Sequence, residues 1–435
     1  MDLNKRKKSS VLKFFIPLAI IFGIPLGALA QLGPSNTGGY HDRLNITGAS
    51  QRIGIYNNES ANAEYLIVPT NAAATEPLLL SIEVSGNVAS PAGYTETGPS
   101  LQNDPRIVRR RAMQADFLTR KGGTDTGAPL SPSTGVPHGQ QPSVGDLWRL
   151  NSSLSSQCDA GHSTSGVVSW VGNNIIVVTD EENPAVTLSG TDATNRQNAL
   201  NAIDTSVYPT IINKFGQPAD QDNNGKVVLF ITQGVNQLDA PATSAPTPGL
   251  YLPRDLLSRQ ECSTGNVGEV IYILAPDPTG AVNSNVRTVS YVNGSMAQTF
   301  ARELAHMVID SHRIASNSPF EESWLDEALG GMALEQVFYA NSMGLAPFGN
   351  IVLSDLTSGP YASSRVAAFN TYQNVLYSGL KSWLQQPYSA GVVDNSKMSA
   401  ASTGAQWAFL RYVADRYSAP SVASEADFIK SLVDS

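Results

Sequence analysis

Cysteine and histidine are both scarce, with two cysteines and five histidines in 435 residues. Neither Cys158 nor Cys262 lies in a motif that would activate a thiol. There is no Gly-x-Ser-x-Gly elbow and no histidine matched to a plausible nucleophile, so a serine or cysteine hydrolase mechanism finds no support. Basic residues are outnumbered, 28 Lys+Arg against 37 Asp+Glu, for a net charge of −9. Most are scattered, which argues against a nucleic-acid partner. Beyond the N-terminus no apolar run is long enough to cross a bilayer. Internal repeats are absent, which excludes solenoid architectures.

The N-terminus reads as an export leader. Lys5, Arg6, Lys7 and Lys8 precede an apolar run at 11–30 that ends in Ala28-Leu29-Ala30, a small-residue cleavage site. Residues 1–30 are therefore expected to be a signal peptide, with the mature protein exported, starting at Gln31 and free of the membrane. The alternative is a retained anchor, but the run is short for a span and contains Pro17 and Pro25. In an oxidising compartment the two cysteines can form one bridge closing a long loop; otherwise they are free thiols.

Residues 31–115 read as a small β-rich module, with strands expected at 52–56, 63–68 and 78–84. A helix opened by Asp104-Pro105 runs to about residue 121 and carries Arg106, Arg109, Arg110, Arg111 and Arg120. That face is either solvated or a dock for an acidic partner. Residues 116–144 comprise the helix end and a Gly/Pro/Ser-rich linker expected to be mobile. From 145 to 435 the chain reads as one α+β domain. Strands are expected at 166–170, 174–179, 227–232, 249–251 and 268–274, and helices at 192–215 and 403–417.

Before the third of those strands lies Asp220-Gln221-Asp222-Asn223-Asn224-Gly225-Lys226. Asp220, Asp222, Asn224 and the carbonyl of Lys226 stand at the opening positions of a calcium loop. The closing glutamate is absent, and an Asx-rich turn feeding a strand accounts for the same residues without calcium.

The most informative stretch is 295–335, read as two helices opened by the capping boxes Ser295/Gln298 and Ser318/Glu321, the latter with Pro319 at the first helical position. Met296, Phe300, Leu304, Met307 and Val308 form an apolar stripe. Arg302, Glu303 and His306 lie on another side, with positions 302 and 306 four apart and stacked. Two histidines at that spacing, with a glutamate after the first, make a zinc helix whose glutamate is the general base. Here the run is Arg302-Glu303-Leu304-Ala305-His306, followed by Trp324-Leu325-Asp326-Glu327.

These residues resemble the hyicolysin-type neutral zinc metallopeptidases. The resemblance implies a zincin-like fold, in which a twisted mixed sheet packs on an active-site helix beside a helical C-terminal lobe. It implies peptide-bond hydrolysis, a polypeptide substrate or ligand, and zinc. Residue by residue it makes Glu303 the general base and His306 and Glu327 metal ligands. Arg302 stands where the first zinc histidine belongs. Arginine offers only donors and stays charged, so the expectation is a degenerate metallopeptidase with impaired zinc catalysis. Arg302 either pairs with Glu327, Glu303 or both, or extends into solvent. Asp310, four residues after His306, is the expected hydrogen-bond partner of the imidazole. His312 is expected near the helix end, off the metal face. Two other readings stand beside this one: an active zinc endopeptidase using His306, Glu327 and a further ligand, and a non-catalytic envelope interaction module.

Overall fold

A computed structural model describes residues 30–32, 53–55 and 134–434, apart from 155–157, 159–160, 243–245, 350, 388–390, 394–398 and 419–421. Contacts divide the chain into two units, Met1–Glu96 and Thr97–Ser435, each described by itself. In the first, β1 (Ala30–Leu32) pairs in parallel with β2 (Ile53–Ile55), which falls inside the strand expected at 52–56. The leader up to residue 29, the strands expected at 63–68 and 78–84, and the arginine-bearing helix lie outside the described residues.

The second unit is mixed α+β, with a six-stranded sheet and a helical C-terminal region. Its strands are β3 (Leu147–Asn151), β4 (Ser163–Val171), β5 (Ile175–Asp180), β6 (Val227–Thr232), β7 (Gly249–Tyr251) and β8 (Val270–Leu274). The spatial order is β3-β4-β5-β6-β8-β7. β5, β6 and β8 run parallel, and the outer pairings are antiparallel. β6 and β8 are buried at every residue, which is why they read as unbroken Val/Ile/Leu runs. β4 buries alternate residues along most of its length and so reads as alternating.

The helix expected at 192–215 is a composite. α1 (Gly190–Ala202) passes through a π turn at Ile203–Val207 into α2 (Tyr208–Phe215). The π turn presents Asp204 to the β4–β5 connection, where its carboxylate accepts from the Asn173, Asn174 and Ile175 N–H groups at 3.0, 2.7 and 3.2 Å. A short turn, α3 (Gln233–Asn236), follows β6. Part of the expected mobile linker is bound in place. Gly135, Val136 and Gly139 N–H groups donate to the carbonyls of Arg149, Asn266 and Asp222. At Gly135, φ is +120° and a Cβ would lie 2.5 Å from the Asn266 carbonyl oxygen, so only glycine fits.

Two long helices carry the candidate site, α4 (Val289–Ala315) and α5 (Ser323–Asn341). Neither begins at its expected capping box. α4 starts earlier, where the Thr288 hydroxyl accepts from the Tyr291 N–H at 3.1 Å. α5 starts later, because Glu321 is engaged by Arg313 in an ion pair rather than turning back to cap. Downstream come α6 (Leu353–Thr357), α7 (Ala362–Ala368), a π turn at Phe369–Gln373, α8 (Asn374–Gln385), α9 (Ala400–Tyr417) and α10 (Val422–Val433). α9 packs against α5: Trp407 lies on Gly331, and its indole N–H donates to Glu335 at 3.2 Å. Cys158 and Cys262 form a disulfide with Cα atoms 5.3 Å apart, buried with Leu257 beside Ile314. Among the described residues no helix is long and apolar enough to cross a membrane.

Candidate functional site

α4 presents Arg302, Glu303 and His306, and α5 presents Asp326 and Glu327. What lets the helices meet is Gly330, where a Cβ would lie 2.9 Å from the His306 ring and 3.3 Å from the Arg302 Cγ. Arg302 Nη2 pairs with Glu327 Oε2 across the interface; the side chains are 11% and 1% exposed. His306, fully buried, holds Asp326 Oδ1 through Nδ1 at 2.7 Å. With the carboxylate accepting, Nδ1 is the donor, and in the neutral form of the ring Nε2 carries the lone pair. No hydrogen-bond partner reaches that buried Nε2 among the described residues.

Glu303 faces the other way, toward the sheet. The Leu274 N–H donates to the Pro248 carbonyl at 3.0 Å, so 248/274 is a hydrogen-bonded pair. Register then makes Leu250/Tyr272 the next bonded pair. The N–H and C=O groups of Gly249 and Tyr251 therefore point away from β8, along the edge of the sheet. Glu303 Oε2 accepts the Tyr251 N–H at 3.1 Å. The Glu303 carboxylate, expected from the sequence as a general base, is thus tied to the outward backbone of the edge strand, and all three residues of β7 are buried.

The imidazole's partner is Asp326, not Asp310. A helical side chain leans toward the turn preceding it, which carries the His306 ring toward Arg302 and Gly330 and hence toward α5. Asp310 instead lies beside the Tyr251 hydroxyl. Burial, then the Asp310 charge, pushes that hydroxyl well above its ordinary pKa. His312 is at the far end of α4, with Nδ1 2.7 Å from Asp434 and Nε2 3.2 Å from the Gln217 carbonyl. Asp326 was visible in the Trp-Leu-Asp-Glu run, but its role depends on α5 starting at Ser323. Tyr251 gives no sequence signal, because it acts through its backbone.

The second group of candidates divides. Asp220 and Asp222 come together with Glu269, a residue the turn's own spacing could not reveal. Asn224 and Lys226 serve the turn. The Asn224 N–H donates to Asp220 and Asp222, and its side-chain oxygen accepts from the Lys226 N–H at 2.6 Å. The Lys226 ammonium reaches the Gly172 and Asn173 carbonyls at 2.8 and 2.6 Å. Burial pushes Asp222 up to about 7 and Glu269 up to about 8, each reinforced by the neighbouring carboxylates.

Whether the first site fits zinc turns on its donors. His306, Asp326 and Glu327 each offer one ligand atom within 4.8 Å of the others. The buried Nε2 of His306, on a ring steadied by Asp326, is a nitrogen donor of the right kind. Asp326 is spent on the imidazole, however, and Glu327 is paired with a guanidinium that cannot deprotonate. That leaves the His306 nitrogen and the second oxygen of a carboxylate already held by a permanent cation, whereas a catalytic zinc takes three protein ligands. The residues present do not fit a zinc centre.

No family model matches the chain. It is similar to the neutral metalloprotease ShpI of Staphylococcus hyicus, 27% identical over 171 residues, a stretch that makes up 39% of this chain and 33% of that protein. The chain thus spans about a third of the length of the curated relative it matches. The similarity supports kinship with a metallopeptidase-like family.

Proposed function

We propose that this chain is an exported, zincin-like relative of the metallopeptidases that binds extended polypeptide and does not hydrolyse it. The observation that carries the reading is the Arg302–Glu327 ion pair between α4 and α5. It sets a fixed positive charge at the position aligned with the first zinc ligand and occupies the carboxylate aligned with the third. The electrostatic tie that a metal gives two helices is supplied here by a guanidinium. Helix, carboxylate-bearing second helix and mixed sheet with an antiparallel edge strand agree with a zincin-like frame.

A polypeptide ligand would pair along β7 by strand addition. Glu303 already holds one of that strand's outward N–H groups, so a ligand strand has to displace its carboxylate. The test uses the purified full chain and fluorescently labelled, unfolded casein, with and without added zinc. The expected result is saturable binding, strengthened by Glu303→Ala, with no cleavage above buffer. Zinc-dependent cleavage abolished by Glu303→Gln would overturn the proposal in favour of an active endopeptidase. Absence of any binding would remove the polypeptide ligand and leave an inert cleft.

A further inference from the structure

We propose that Asp220, Asp222 and Glu269 hold a calcium ion that ties the turn before β6 to the start of β8. β6 and β8 are parallel neighbours, with Val228 opposite Val270. The Val228 N–H donates to the Glu269 carbonyl at 2.8 Å, which brings residue 269 to the same end of the sheet as the 220–226 turn. One carboxylate oxygen from each of the three acids lies within 4.8 Å of the others. Asp222 is fully buried and Glu269 is 2% exposed, while Asp220 opens to solvent. Gly268 lets this happen, since a Cβ there would lie 3.0 Å from Asp222 Oδ2 and 2.8 Å from Val136.

An acidic cluster alone is not a binding site, and most of these oxygens have donors. Asp220 Oδ1 accepts from the Asn224 and Gly225 N–H groups. Asp222 accepts from the Asn224 backbone and side-chain amides at 3.0 and 2.7 Å, and Glu269 Oε1 from the Gln221 N–H at 3.0 Å. Glu269 Oε2 is different: it is buried, belongs to a carboxylate that lies against Asp220 and Asp222, and meets no donor among the described residues. A buried carboxylate oxygen without a partner is costly. Nor, among the described residues, is a basic side chain seen to pair with the cluster: Lys226 is turned to the Gly172 and Asn173 carbonyls. A cation satisfies both deficits at once. The donors are all oxygen and partly open to water, which favours a hard ion of flexible coordination, calcium, over zinc. Glu269, just before β8, replaces the closing glutamate that the turn itself lacks.

The test is calorimetric titration of calcium chloride into the chelator-stripped full chain, with thermal unfolding alongside. The expected result is one ion per chain and an unfolding midpoint that climbs with calcium concentration. Glu269→Gln should weaken binding at least about tenfold, and so should Asp220→Asn, whose exposed side chain makes misfolding a poor explanation. No calcium uptake by the wild type up to about 10 mM, the weak end of known protein sites and beyond, would overturn the proposal. So would an Asp220→Asn or Glu269→Gln variant that binds as tightly as the wild type.

Discussion

Removing one partner of the Arg302–Glu327 pair should cost far more than removing both. Glu327 is 1% exposed, so in Arg302→Met its carboxylate is left buried beside His306 and Asp326 without its cation. In Glu327→Leu the guanidinium, 11% exposed, loses its carboxylate but can lean partly toward water. Breaking a buried pair from one side costs about 3–5 kcal/mol. We expect Arg302→Met in that range and Glu327→Leu nearer its lower end. The double variant replaces the pair with apolar side chains of similar length, a change that is often neutral or stabilising, so it should cost under about 2 kcal/mol. The cycle is then strongly non-additive, by about 3 kcal/mol or more. Urea unfolding of the four proteins at constant ionic strength measures it. Single variants that each cost under about 1 kcal/mol, with a double equal to their sum, would refute the idea that this pair joins α4 to α5.

Three further perturbations test the surroundings. Gly330→Ala puts a methyl 2.9 Å from the buried His306 ring, and overpacking of that kind should cost about 1–3 kcal/mol in the same unfolding assay. Glu335 is buried against Trp407, Arg411 and Glu425, with Asp415, Tyr339 and Tyr377 also in its field. Burial pushes it up to about 7, so the folded state binds its proton more tightly than the unfolded chain does. Its contribution is complete below the ordinary glutamate range and is lost as pH rises toward 7, on the order of 3 kcal/mol; Glu335→Gln should flatten that slope in unfolding midpoints taken from pH 4 to 8. Replacing both Cys158 and Cys262 by serine opens a loop whose ends are separated by 104 residues. It should lower stability by about 4–5 kcal/mol on the loop-entropy account, read from urea midpoints without reductant.

Much of the second unit is legible in the residues. The parallel strands β6 and β8 are buried at every residue and announce themselves as apolar runs, and β5 does so over Ile175 to Val178. Arg302, Glu303 and His306 share α4 at the spacing their order implies, and Glu327 returns from α5 to meet Arg302. What is not legible depends on contacts distant in sequence. Helix starts moved because Thr288 and Glu321 found partners that local capping rules do not see. Asp310 looked right for His306 by spacing, but the imidazole leans toward α5, and Asp326 takes it. Tyr251 enters through a backbone N–H that any residue there would supply. Glu269 joins Asp220 and Asp222 only because β8 lies beside β6, a sheet order that sequence alone does not state.

In the proposed reading the charge of Arg302 beside Glu327 keeps zinc out of the site. Its most direct test is the zinc content of the wild type and R302H after equilibration with zinc at neutral pH and removal of excess metal. Zinc far below one equivalent is expected in the wild type, with a rise toward about one in R302H, where a second histidine joins His306 and Glu327. A wild-type protein that already carries about one zinc, lost on His306→Ala, would contradict it.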